Sequence, residues 1–120
     1  MAMVNRYRGE VALMVDGETL PMRLTLGALA ELEAAFAVDS LPALGERFVG
    51  GRLSARDVAC ILTAGLRGAG GSFSEAEVAG FAFDGGLNGA IAAAIRLLDA
   101  TFGDPAREAS EPRPQLPPER

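Results

Sequence analysis

The sequence predicts an α+β fold, mostly α: an N-terminal β-hairpin packed on a bundle of four or five short helices, with a Pro-rich C-terminal tail. Three observations carry this expectation. Asp16-Gly17 stands between two apolar runs, the arrangement of a tight hairpin. From Thr25 onward, Leu, Ile, Ala and Phe return at helical spacing in segments separated by Gly-rich breaks. After Gly103 this periodicity stops, and five of the seven prolines fall in the last seventeen residues. The compact domain is therefore placed at 1–103 and a disordered tail at 104–120.

The hairpin follows from its turn. Gly takes positive φ at low cost and Asp tolerates it, so Asp16-Gly17 fits the centre of a two-residue turn. That choice pairs Val15 with Glu18, Leu13 with Leu20, Val11 with Met22 and Glu10 with Arg23. The register is consistent with side-chain chemistry: four apolar residues share one face, while Glu10 and Arg23 form an opposite-charge pair on the other. Pro21, opposite Ala12, lacks an N–H and marks an edge strand or a bulge. A lone hairpin is marginal in water, so its apolar face is expected to pack on helices.

Thr25 reads as the N-cap of the first helix, with Leu26, Leu29, Leu32 and Phe36 as one buried stripe. Glu33 lies at the edge of that stripe and is expected to cap another helix or pair with an Arg. A second helix is predicted from Leu41 to Val49, with Ser40 as cap and Pro42 in its first turn. Ser54-Ala-Arg-Asp57 opens a third with a capping-box-like pattern. Its Val58, Ile61, Leu62, Gly65 and Leu66 fit the amphipathic template, and Gly68-Ala-Gly-Gly71 stops it. Ser74-Glu-Ala-Glu77 is a full capping box and starts a fourth, short helix through about Phe81. Leu87, Ile91, Ala94, Ile95, Leu98 and Phe102 give a fifth, closed by Gly103. Gly89 within it either lets a neighbour approach closely or marks a frayed first turn.

Composition bounds the function. At 120 residues the chain can bury around two-thirds of its unfolded surface as one domain. Its formal net charge is −5, and all eleven basic residues are Arg. An acidic chain with no basic cluster is a poor match for phosphate backbones, so no direct nucleic-acid binding is expected. There is no His, no Trp, one Tyr and one Cys. The usual general base, the commonest metal ligand and most stacking platforms for bases are thus missing. One Cys excludes an internal disulfide and suits a reducing cytoplasm. The longest apolar stretch, Ala90 to Ile95, is far short of the roughly twenty residues that span a bilayer. No cofactor, metal or membrane partner is expected.

Three features invite a chemical reading. Gly65-Leu-Arg-Gly-Ala-Gly-Gly71 follows a helix rather than a strand and lacks the Lys-Ser/Thr of a P-loop, so it reads as a helix end and loop. Cys60 lies opposite the apolar stripe of the third helix with Arg56 one turn before it. A guanidinium there can lower a thiol pKa, but no activating base accompanies it, so Cys60 reads as a small residue packed beneath another element. Glu31 with Glu33, and Glu75 with Glu77, diverge on a helix and read as solvated charges. Phe73, Phe81 and Phe83 stand out instead: three of the six phenylalanines flank one short helix. They are expected mostly in the core, and any exposed member would be the hydrophobic anchor for a partner.

A family resemblance runs through these same segments. Arg8-Gly-Glu-Val, the alternating strand, Asp16-Gly17 and Leu24-Thr-Leu-Gly-Ala-Leu-Ala-Glu-Leu-Glu33 resemble the tail assembly chaperone family of tailed phages. The branch it resembles most is the one found with gene transfer agents, phage-derived particles that move bacterial DNA. Leu53-Ser-Ala-Arg-Asp-Val58, Ala64-Gly-Leu-Arg-Gly-Ala-Gly70 and Leu98-Asp-Ala-Thr-Phe102 follow the same pattern, so the resemblance spans roughly 5–103.

What the resemblance implies is a cytoplasmic assembly factor, not an enzyme, that binds the tape-measure and tail-tube proteins of its own locus through apolar helical surface. The alternative is a structural, tube-associated tail component kept in the mature particle. Acidic helical proteins with apolar faces often pair, so a homo-oligomer is also open.

Overall fold

The computed structural model describes residues 10–48 and 52–103. Their order is β1 (Val11–Val15), β2 (Glu18–Met22), α1 (Leu26–Phe36), α2 (Leu41–Arg47), α3 (Ala55–Gly68), α4 (Glu75–Ala79) and α5 (Gly86–Phe102). The architecture is the α+β, mostly helical arrangement expected: one hairpin and five helices. The predicted tail, 104–120, and the predicted last residue of the second helix, Val49, lie outside the described residues.

Turn chemistry fixes the hairpin. Asp16 and Gly17 both have positive φ, 53° and 78°, the signature of the turn whose twist matches paired strands. The register is Val11↔Met22, Ala12↔Pro21, Leu13↔Leu20, Met14↔Thr19 and Val15↔Glu18, as the turn requires. Glu10 and Arg23 meet one step further out, at 3.9 Å. Counting alternate pairs outward from the turn puts Pro21 at a site where the backbone points away from β1, so its missing N–H costs no ladder bond.

The outer edge of β1 is also occupied, by a segment far along the chain. Val15 forms an antiparallel bridge with Phe83. The Asp16 N–H donates to the Ala82 carbonyl, and the Asp84 N–H to the Met14 carbonyl, both at 3.0 Å. Beyond them Arg96 donates from Nη2 to the Ala12 carbonyl at 3.1 Å.

Four helices begin with the predicted caps. Thr25 accepts from the Ala28 N–H, Ser40 from Ala43, Ser54 from Asp57 and Ser74 from Glu77, each at 3.1 Å. Both capping boxes are complete, so Asp57 serves where Glu is usual. Asp57 is buried, accepts the Ser54 N–H at 3.0 Å and pairs with Arg47 at 3.5 Å, which ties α2 to α3. The fourth helix is shorter than predicted. It ends at Ala79 with Gly80 as C-cap, so Phe81 lies beyond it.

The central element is α3, which packs against β2, α1, α4 and α5. Leu13, Met22, Leu32, Leu44, Ile61, Leu62, Leu66, Val78 and Leu97 are fully buried around it. Each large apolar side chain taken out of water contributes roughly 1.5–3 kcal/mol, against about 0–1 for a surface ion pair. Packing therefore dominates. The closest approach is at Gly68: a Cβ there would run into the carbonyl oxygen of Arg23, and Arg23 donates back to the Gly68 carbonyl at 3.3 Å. Gly89 is likewise a close-approach residue, set against the Asp84 carbonyl.

Two leucines assigned to buried stripes are on the surface. Leu26 is 76% exposed: the buried face of α1 is Ala28, Leu29 and Leu32, and Leu26 lies about 100° from its centre at 100° per residue. Glu33 lies on that same rim. Among the described residues it makes neither the cap nor the Arg pair expected of it; Glu31 instead pairs with Arg67, at 3.5 Å. Leu87 is 69% exposed for a different reason. It points within about 50° of the buried face of α5, but sits in the first turn, where no neighbouring element among the described residues closes over it.

Candidate partner-binding groove

The clearest surface feature is an apolar groove built by three helices. On α3, Ala55, Val58, Ala59 and Leu62 follow the i, i+3, i+4, i+7 spacing and form its floor. Val78 and Ala79 of α4 and Leu87, Ala90 and Ile91 of α5 make its walls, with Phe83 between them. The cavity is about 230 Å³. That is smaller than the roughly 300–1,000 Å³ clefts that take cofactors, and suits one or two apolar side chains.

The three phenylalanines singled out from the sequence are brought together here. Phe73 and Phe81 meet edge to face at 5.5 Å and 87°, and Phe81 meets Phe83 at 6.0 Å and 66°. All three are half-buried and packed against the core, and Phe83 alone of them lines the groove. Phe83 is held by its backbone bridge to Val15, and Phe73 by Arg67, whose Nε donates to its carbonyl at 3.0 Å. Of the exposed large apolar side chains among the described residues, Leu87 is the one that lines the groove. Sequence periodicity missed it because the wheel gives direction, whereas exposure here depends on where the neighbouring helices end.

A second hollow, about 340 Å³, lies between α1 and α3 and is lined by Glu31, Arg67, Cys60 and Glu75 among others. The Cys60 thiol donates to Glu75 Oε2 at 3.4 Å. Burial, first, and then the hydrogen bond and negative charge of Glu75 push this thiol above its ordinary pKa; Arg56 opposes them and is outweighed. Arg56 stands where it could lower the pKa but is outweighed, and Cys60 is partly buried against the core, the packed small residue that the sequence favours. At neutral pH Cys60 should alkylate with iodoacetamide more slowly than a free thiol. Glu75→Gln removes one raising charge, so it should increase the rate; an unchanged rate would show that Glu75 does not act on the thiol.

A family model described as phage tail tube protein, GTA-gp10, matches residues 8–104. The chain belongs to that family. The match takes in the hairpin, all five helices and the whole groove, and stops at the start of the Pro-rich segment. The phage tail and gene transfer agent connection seen in the sequence therefore holds for this GTA-gp10 family member. No curated protein and no solved structure matches it. Among the described residues, no helix of this tail-family chain is long and apolar enough to cross a membrane.

Proposed function

We propose that the chain is a tube-associated structural component of a phage-derived tail, retained in the mature gene transfer agent or prophage particle, and that it acts by binding other tail proteins rather than by catalysis. The family description carries this reading: it names a tail tube protein, and the match covers every described element. It favours the retained component over the assembly factor that the sequence resemblance placed first. The absence of His from the sequence and a Cys60 thiol whose pKa is raised by burial and Glu75 support a binding role. Mass spectrometry of particles purified from the native host is the test. The expected result is the chain present in fixed proportion to the tube subunits.

The assembly-factor reading is second, and one observation favours it. An open apolar groove beside an exposed Leu87 suits reversible burial against helical segments of the tape-measure or tail-tube protein. A chain that co-purifies with those proteins before assembly and is missing from finished particles would establish that role instead.

A further inference from the structure

The lining of the groove is uncharged, acidic groups gather beside its Phe83 wall, and this selects its occupant. Phe83, on one wall, is tied to the hairpin tip through its bridge to Val15. That tip brings three carboxylates alongside it. Asp84 follows Phe83 and accepts the Gly17 N–H at 3.2 Å. Asp16 donates its own N–H to the Ala82 carbonyl, and Glu18 is paired with Val15. All three are exposed. The sequence has no Arg or Lys between Gly70 and Ile95, so α4, the Phe83 segment and the first turns of α5 hold no cation to offset them. The nearest guanidiniums in sequence to the lining, Arg52 and Arg56, flank Leu53–Ala55 on the α3 wall.

We infer that the groove binds an apolar helical segment of a partner protein that carries Arg or Lys at the end lying over Asp16, Glu18 and Asp84. The apolar stripe would cover Leu87 and fill the cavity, and the basic end would fix its direction. A strand is a poor occupant, since the adjoining edge of β1 is already taken by Ala82–Asp84. A second copy is also a poor one: each chain carries a net −5, and the other prominent exposed leucine, Leu26, has no basic residue in its helix. This inference rests on the proposal that the chain works by contacting other tail proteins.

The test is calorimetric titration of the full chain with designed peptides about four helical turns long. One carries a leucine stripe ending in two Arg, and another the same stripe ending in two Glu. The Arg-ended peptide is expected to bind about tenfold tighter, the effect of two or three surface ion pairs, with the difference shrinking at high salt. Leu87→Glu should abolish binding while the protein stays folded, because that side chain is already on the surface. Leu26→Glu should leave binding unchanged. The triple variant Asp16→Asn, Glu18→Gln, Asp84→Asn should remove the preference for the Arg-ended peptide. Equal affinity for both peptides, or binding indifferent to Leu87→Glu, would overturn the inference. Particle composition is read separately, so a chain found in particles but blind to these peptides rejects the groove assignment alone. A chain that binds them but is missing from particles rejects retention alone.

Discussion

Gly68→Ala is expected to destabilise the domain by about 3 kcal/mol, the upper end of the usual penalty for overpacking. The reason is the identity of the obstructing atom. A Cβ at Gly68 runs into the main-chain carbonyl of Arg23, where β2 hands over to α1, and no rotamer change removes a carbonyl. Relief requires moving the end of the hairpin away from α3. That movement would stretch the bond from the Arg23 N–H to the Gly65 carbonyl, now 2.8 Å. Gly65→Ala makes a useful comparison. Its Cβ would meet the Leu97 side chain first, so a Leu97→Val change should recover part of its loss, whereas no side-chain change should rescue Gly68→Ala. Thermal melts followed by circular dichroism should show Gly68→Ala lower by about 15 °C. A shift within about 2 °C of the parent would mean the helix and hairpin are not pressed together as described.

Leu44→Ala should cost a similar amount, about 3 kcal/mol, and the loss should show first in α2. This short helix has one fully buried side chain, Leu44. Gly45 sits against the Phe102 ring, and further ties lie at the C-terminal end. Phe48 meets Phe36 edge to face at 5.1 Å, Arg47 lies over both rings at 5.4 and 5.5 Å, and Arg47 also reaches Asp57. A seven-residue helix has little stability of its own, so removing its anchor should release it before the rest unfolds. Hydrogen exchange should show amides of 41–47 losing protection while those of α3 keep most of theirs. Uniform loss across both helices would instead make α2 part of one cooperative unit with the core.

Local chemistry made much of this fold legible in the sequence. The Asp16-Gly17 turn fixes a register in steps of two, and that register predicted the Glu10–Arg23 pair to the residue. Ser and Thr caps leave the same local trace, so the start of four helices could be read directly. What could not be read depends on neighbours distant in sequence. The contact between Ala82–Asp84 and the edge of β1 has no local signature, because nothing in Phe-Ala-Phe-Asp says which edge it will cover. Leu26 and Leu87 were misassigned on related grounds. Periodicity gives a helix an apolar side, but the length and position of the neighbouring helix decide how much of that side is covered. The three phenylalanines were correctly seen as a group, yet the groove also needed Leu87 and the floor of α3, whose juxtaposition is tertiary.

The two edges of the small sheet have a consequence for how this chain can join a larger object. On β1 the outward carbonyls of Ala12 and Met14 are already bonded to Arg96 and Asp84. On β2, Pro21 offers no N–H and the Arg23 N–H is spent on Gly65. Both edges are thus interrupted for a chain that would extend the sheet, with Thr19 keeping an outward N–H and carbonyl on β2. A particle that incorporates this hairpin as folded finds it a poor template for zipping copies together strand by strand. Its order is then expected to come mainly from matched side-chain surfaces, so single substitutions at those surfaces can tune or block assembly while leaving each subunit intact.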